Sequence, residues 1–239
     1  MRGGGVVNST AMIHNAGGFV VNSRATSRRN DFLDSAMKLH WSPRSPFVRK
    51  VMIVVHERGL AGRVTCVRTV AATTKPHAAL MLDNPLSKIP TLVLDDGTVI
   101  YDSPVVCEYL DGLDGAPKLF PAEPKARLAA LRRQALGDGF LEMMVLLRDE
   151  RMRAHPSPIH MASTATRKAA VLKSLDVEAP ELAAAPFGIG QIAIGCALSY
   201  LDFRYADEDW RKDHPRIADW HATFAARQSV KATEPVDDA

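Results

Sequence analysis

Apolar positions follow a regular order from Met37 onward, and this order predicts a small α/β unit. Lys38–Trp41 is expected to form a short strand, and Gly59 is expected to end the helix that follows it. Within that helix the apolar residues have the i, i+3, i+4, i+7 spacing of an amphipathic helix: Val48, Val51, Met52 and Val55.

The next segments predict a strand, a short helix and a hairpin. Arg63–Val70 is rich in Val and Thr, which favours a strand, and His77–Leu82 is expected to be a short helix. Thr91–Leu94 and Thr98–Tyr101 then lie on either side of an Asp-Asp-Gly turn, in which Gly97 supplies the positive φ that such a turn needs. The two runs are therefore expected to pair as a hairpin.

A third helix is expected to begin at Ser103, with Ser103 as the N-cap and Pro104 at the first helical position. Its apolar stripe continues through Val106, Tyr109, Leu110 and Leu113. The predicted order over residues 37–113 is β-α-β-α-β-β-α with a right-handed βαβ unit. Helices must cover so small a sheet if it is to bury enough surface.

The second half of the chain predicts helices only. Residues 115–124 contain three Pro and one Gly and are interpreted as a linker. Beyond them helices are expected at about 124–152, 164–182, 189–204 and 214–227, with a loop at 153–163. The sequence thus predicts one domain over 37–114 and an all-helical domain over 125–239. Residues 1–36 hold five Gly and no sustained period, and are expected to be a disordered tail or a stretch upstream of a true start at Met37.

Composition and charge exclude some classes of binding partner but do not identify the function. The 239 residues are 46% hydrophobic and 24% charged, which is ordinary for a globular protein. The net charge is +3, and four Arg against two Asp in the first 36 residues leave the rest with only +1. We therefore expect no nucleic-acid or membrane partner. The longest apolar stretch, 192–203, is too short and too polar to span a bilayer, so a soluble protein is expected.

The three cysteines predict neither a disulfide framework nor a metal site. Cys66, Cys107 and Cys196 are far apart and form no CxxC or Cys/His ligand spacing. We expect no metal and a reducing, cytoplasmic compartment. Cys66 and Cys107 are expected to be core residues.

Three short segments have the residue types of an anion or amino-acid site. Ser42–Pro46 places hydroxyls at a helix N-terminus, where an anion is stabilised, although Ser45 also suits a plain N-cap. A cis bond between Ile89 and Pro90 would leave the Ile89 backbone free to pair with a ligand. Asp102-Ser103 suits the ammonium and carboxylate of an amino-acid end, or else a helix cap beside a surface acid.

Taken together, three strings resemble the soluble glutathione S-transferase superfamily, and most closely its serine-type, bacterial-like members. They are "KLHWSPRSPFVRKVMIVVHERGL", "NPLSKIPTLVLDDGTVIYDSPVVCEYLD" and "APKLFPAEP". The resemblance continues more weakly through "QIAIGCALSYLDFRY" and "HPRIADWHATFAARQSVKATEP". It implies a thioredoxin-like domain with bound glutathione, followed by a helical bundle, in a cytoplasmic homodimer.

The resemblance also implies a role for each candidate residue. Ser45 would donate a hydrogen bond to the glutathione sulfur, with Ser42 as a rival. The Ile89 backbone, ahead of cis-Pro90, would pair with the cysteinyl unit, and Lys88 would lie near the glycine carboxylate. Asp102 and Ser103 would hold the γ-glutamyl end. Arg49 would either steady the site electrostatically or belong to a solvated helix face.

The function that the resemblance implies is detoxifying transfer of glutathione to a small hydrophobic electrophile. Two alternatives remain: a glutathione-binding or regulatory protein of the same fold, as in the stringent starvation protein A group, or a glutathione-dependent reductase. The Ser at position 45 disfavours the reductase, which would use Cys there. Four residues would line the electrophile site or else belong to the bundle core: Phe140, Met143, Met144 and Leu147. In the second domain Gly188 replaces the usual Ser or Thr cap, and Gln191 is expected to reach back to the cap N–H.

Overall fold

A computed structural model describes residues 36–113 and 117–238 of the chain. The expectation for residues 1–36 falls almost entirely outside the described residues, as do positions 115 and 116 of the expected linker. Within the described part, no helix is both long enough and apolar enough to cross a membrane.

The predicted β-α-β-α-β-β-α order of the first half is confirmed. Its elements are β1 (Met37–Trp41), α1 (Pro46–Glu57), β2 (Val64–Arg68), α2 (Ala78–Asp83), β3 (Thr91–Val93), β4 (Val99–Ile100) and α3 (Ser103–Gly112). A 3₁₀ turn, Ala61–Arg63, replaces the expected start of the second strand. Gly97 has the predicted positive φ of +83° in the turn between β3 and β4.

The four strands form one mixed sheet in the order β2-β1-β3-β4. β1 is parallel to β2, and β3 is antiparallel to both β1 and β4. Leu39 lies opposite Cys66 on one side and opposite Leu92 on the other. This is the thioredoxin-like arrangement that the resemblance implied.

The two faces of β1 have different environments. Met37 and Leu39 are buried in the hydrophobic core, together with apolar residues of α1 and α3. Lys38 and His40 lie on the other face, since successive side chains alternate, and both bond to Asp83 at the end of α2, at 2.8 and 2.7 Å. This network holds α2 against the strand that leads to the candidate site.

Cys66 is exposed, so its expected place in the core is wrong, whereas Cys107 is buried as expected. The reason is the sheet order: β2 is an edge strand, and four of its five residues are exposed. Cys107 lies instead on the buried face of α3.

Every regular element in the described part of the second half is a helix. Its helices are α4 (Pro124–Arg151), α5 (Pro158–Ala184), α6 (Ile189–Arg204), α7 (Pro215–Ala225) and α8 (Gln228–Lys231). The loop expected at 153–163 is shorter, because Ser157 caps α5 by accepting a hydrogen bond from the His160 N–H at 3.4 Å. Pro158 suits the first helical position, so the Ser-Pro pair was the missed signal.

The start of α6 is capped by the chain before α4 and not by a side chain. The Ile189 N–H donates to the Leu119 carbonyl at 3.0 Å. A Cβ at Gly188 would lie 2.5 Å from that carbonyl oxygen, so only glycine fits. The expected bond from Gln191 to the cap is wrong, because Gln191 donates instead to the Pro186 carbonyl at 2.9 Å.

Candidate functional site

The sheet topology brings all the predicted site segments to one end of the sheet. His40 pairs with Thr91, so the end of β1 lies beside the start of β3. Leu92 pairs with Ile100, so the chain that leaves β4 returns to the same end. The loop that carries Ser45, the Ile89–Pro90 bond and Asp102–Ser103 therefore share one edge, as adjacent antiparallel strands require.

Ser45 is the N-cap of α1 and keeps its hydroxyl proton available. Its Oγ accepts from the Val48 N–H at 3.3 Å, and its own N–H donates to the Ser42 carbonyl at 3.2 Å. A hydroxyl has one donor in addition to its acceptor lone pairs. The capping and ligand-binding interpretations of Ser45 are therefore compatible.

A small cleft opens beside Ser45, between α1 and α6. Its lining consists of Arg44, Ser45, Pro46, Arg49, Cys196, Tyr200 and Pro235. Ser42 is only 6% exposed and does not line the cleft, and its Oγ faces the Arg44 N–H at 3.4 Å. The position of the two hydroxyls favours Ser45 over its rival.

Arg49 is buried, so its interpretation as a solvated face residue is wrong. It is 8% exposed and lines the same cleft as Ser45. Its Nη2 donates to the Val230 carbonyl at 3.3 Å, and its buried Nε has no hydrogen-bond partner within the described part of the chain. Among the described residues no carboxylate pairs with it. A buried guanidinium without a counter-ion makes the cleft a place for an anion.

The Ile89–Pro90 peptide bond is cis, as the resemblance implied. Buried Asn84 and Thr91 hold the Lys88 carbonyl at 3.1 and 2.9 Å, which fixes the approach to the bond. No described residue bonds to the Ile89 N–H or carbonyl, so both remain available for pairing. The Lys88 side chain is exposed and reaches solvent.

Asp102, and not Ser103, is the N-cap of α3, which corrects the expected start of that helix. Ser103 is the first helical residue and is 2% exposed, whereas Asp102 is exposed. Neither side chain has a hydrogen-bond partner among the residues that the structure describes. A free carboxylate and a free hydroxyl therefore lie beside the positive end of α3.

A buried ion pair that the sequence did not reveal joins the two halves beside this site. Lys50 of α1 is fully buried, and its Nζ donates to both oxygens of Asp138 on α4 at 2.7 Å. Burial nevertheless raises the pKa of Asp138, and the nearby charge of Asp102 raises it further. In the sequence, the available sign of this ion pair was the position of Lys50 between Arg49 and the apolar Val51.

The residues considered for the electrophile site belong to the core of the bundle. Phe140, Met144 and Leu147 are at most 3% exposed, and Met143 packs against the same cluster. None of them lines the cleft beside Ser45. In residues 36–113 and 117–238 no group of three or more metal-ligating side chains comes together either.

Comparisons with known proteins agree with this architecture. The model of the glutathione S-transferase N-terminal domain matches residues 44–113, and that of the C-terminal domain matches residues 169–223. An uncharacterized GST-like protein of Escherichia coli K12, YibF, is 31% identical over 206 residues, which is 83% of this chain and 98% of that protein.

Two solved structures are similar along their whole length. One is a glutathione transferase family member from Pseudomonas fluorescens Pf-5 with bound glutathione, with 40% identity and a TM-score of 0.81. The other, from the same source, contains bound S-(propanoic acid)-glutathione, with 37% identity and a TM-score of 0.77. Each match covers 84% of this chain and 100% of the solved chain.

Proposed function

Because this chain belongs to the glutathione S-transferase superfamily, we propose that it transfers glutathione to small electrophiles through a thiolate held at Ser45. The observation that carries the proposal is the cleft in which the Ser45 hydroxyl, the α1 N-terminus and buried Arg49 meet. All three stabilise a negative charge at the same place.

The magnitudes are sufficient for thiolate formation near neutral pH. A thiol has a reference pKa of about 8.5, and lowering it by about two units takes roughly 2.7 kcal/mol. One hydrogen bond to a charged group contributes roughly 1.5–3 kcal/mol, and a helix N-terminus about 0.3–1 kcal/mol. No general base is required, because the thiol proton leaves to solvent.

Glutathione itself would lie along the shared end of the sheet. The free Ile89 backbone suits the cysteinyl unit, and Asp102 and Ser103 suit the γ-glutamyl ammonium and carboxylate. Exposed Lys88 suits the glycine carboxylate. Bound glutathione and S-(propanoic acid)-glutathione in the two similar structures support glutathione as the ligand.

We also propose that the glutathione-binding domain spans residues 37–114 and the helical domain residues 125–239, with residues 115–124 as the linker between them. The proposal also includes a cytoplasmic homodimer that acts in detoxification.

Calorimetric titration with glutathione, followed by an assay with chlorodinitrobenzene, tests the proposal. We expect saturable glutathione binding and glutathione-dependent release of chloride above the uncatalysed rate. A protein that releases no heat, and whose melting temperature is unchanged by millimolar glutathione, would contradict the proposal. Binding without conjugation would favour the regulatory alternative, and disulfide reduction without conjugation would favour the reductase.

A further inference from the structure

Arg44 lines the Ser45 cleft, and together with Arg68 and Arg204 it pairs with two acidic residues near the end of the chain. Asp237 accepts a hydrogen bond from Arg204 at 2.7 Å and lies 3.7 Å from Arg44. Asp238 lies 3.2 Å from Arg44 and accepts two hydrogen bonds from Arg68, at 2.7 and 2.8 Å. Residues 237–238 thus act as an internal anion beside the cleft.

The Asp237 carboxylate shows where an acid group fits. The hydrogen bond from Arg204 lowers the pKa of Asp237, and the charges of Arg44 and Arg148 lower it further. Arg44 and Pro235, two residues before Asp237, line the cleft beside Ser45. Tyr200, which also lines it, lies one helical turn before Arg204 and interacts with that side chain. The Asp237 carboxylate therefore lies 3.7 Å from a residue that lines the cleft, Arg44.

The internal anion is held loosely. The Asp237 side chain is 49% exposed and the Asp238 side chain 32% exposed. Ion pairs between partly exposed side chains are weak and are screened by salt. A second carboxylate that approaches Arg204 and Arg44 can therefore replace Asp237, at little net electrostatic cost.

The cleft also holds a positive charge, on Arg49, that neither Asp237 nor Asp238 neutralises. Arg49 is 8% exposed, and among the described residues its guanidinium bonds only to the Val230 carbonyl, at 3.3 Å. This uncompensated charge favours the approach of an acid to the Ser45 cleft.

Resting on the proposed function, we propose that Arg204 and Arg44, beside the Ser45 cleft, select electrophiles that carry a carboxylate, which pairs with them in place of Asp237. In the reaction with an aryl chloride, the thiolate sulfur attacks the ring carbon that bears chlorine. The carbon–sulfur bond forms, the carbon–chlorine bond breaks, and chloride leaves with the bonding electron pair. The thiol proton has already left to solvent.

A matched pair of substrates isolates the charge. A chlorodinitrobenzoate and the corresponding chlorodinitrobenzamide have nearly the same size and differ in charge. The kcat/KM for each substrate is divided by the rate constant of its uncatalysed reaction with glutathione, so that the two accelerations can be compared. We expect the wild-type protein to accelerate the acid more than the amide. Arg204→Gln should lower that acid-to-amide ratio about tenfold, as the loss of one charged hydrogen bond predicts, and Arg204→Lys should recover part of it.

Two further variants keep the test decisive if Arg204→Gln does not fold. Arg44→Gln should lower the same ratio, and Asp237→Asn with Asp238→Asn should raise it by removing the competing carboxylates. Arg132→Gln is the control, because Arg132 is 58% exposed and pairs with Glu178 instead. Its ratio should not change.

The outcomes separate this inference from the proposed function. Equal acceleration of acid and amide, or a ratio that survives both Arg204→Gln and Arg44→Gln, overturns the acid selectivity and leaves the transferase intact. A protein that binds no glutathione and conjugates neither substrate overturns the proposed function, and the selectivity with it.

Discussion

The Lys50 ammonium on α1 donates to both oxygens of the Asp138 carboxylate on α4, at 2.7 Å, and Lys50 is fully buried. The pair therefore joins the helix that begins at Ser45 to the first helix of the bundle. Burial of two charges is costly by itself, and each charge here compensates the other. The pair is a structural condition for the site, and its removal has a measurable consequence.

Lys50→Met should lower the free energy of unfolding by roughly 3–5 kcal/mol, because it leaves the Asp138 carboxylate, which is only 18% exposed, without its cation. The double variant Lys50→Met with Asp138→Leu should recover much of that loss, since two apolar side chains need no partner. Urea unfolding of both variants measures the difference. Arg132→Gln, which removes an exposed pair, should change stability by no more than about 1 kcal/mol. A double variant as unstable as Lys50→Met would show that packing, and not charge, is responsible.

Ser45→Ala should reduce conjugation near neutral pH by about tenfold, because the sulfur loses a charged hydrogen bond. The pH–rate profile should shift to higher pH, since a less stabilised thiolate forms at a higher pH. An unchanged profile would remove Ser45 from the mechanism, and Ser42→Ala would then be the variant to measure.

Loss of the Ser45 cap also costs stability, so that effect needs its own control. Ser157 caps α5 in the same way, with its Oγ accepting from the His160 N–H at 3.4 Å. Ser157→Ala should lose a comparable amount of stability, about 1 kcal/mol, while its pH–rate profile stays that of the wild type. Melting temperatures and rates measured on both variants distinguish the two roles of Ser45.

Asp102→Asn should weaken glutathione binding several-fold, because the γ-glutamyl ammonium loses its counter-ion at an exposed site. The effect should appear in KM for glutathione and in the calorimetric Kd, with a smaller change in kcat. Glu108→Gln, on the exposed face of the same helix, is the control. If both variants bind glutathione equally well, Asp102 has no part in the site.

Stability should fall as the pH is lowered from about 6.5 to about 4, in part through His221. Burial lowers the pKa of His221 from 6.5 to about 4. The charge of Asp202 opposes this shift, and the charges of Arg211 and Arg49 add to it. The unfolded chain therefore binds a proton in this window that the folded protein does not, which favours unfolding as pH falls. The effect is at most roughly 3 kcal/mol.

His221→Gln should flatten that part of the pH dependence, which urea unfolding at pH 7 and near pH 4.5 would detect. A variant with the wild-type slope would show that other groups cause it.

Ser199, His221 and Asp202 are the residue types of a hydrolytic triad, but the hydrogen bond between Ser199 and His221 runs in the opposite direction to that of a triad. Arg211 Nη2 lies 3.3 Å from His221 Nδ1, so Nδ1 accepts and Nε2 donates to the Ser199 hydroxyl.

The elements of the first half were predictable because local chemistry determines them. The apolar spacing of α1, the turn at Gly97 and the order of strands and helices all follow from neighbouring residues. The short motifs around Ser45, Ile89 and Asp102 were also visible, since each consists of consecutive residues. Helix boundaries were less predictable: α5 begins at Pro158, within the segment expected to be a loop.

The tertiary structure alone decided which polar side chains are buried and which distant residues they bond to. Arg49 and Lys50 read as ordinary polar residues of a helix, yet both are buried because α6 and α4 pack over that part of α1. Gly188 lacks a capping side chain because the Leu119 carbonyl takes its place, and Asp237 reaches Arg204 from the far end of the chain. Such contacts join residues distant in sequence, and a local pattern contains no information about which distant group will arrive.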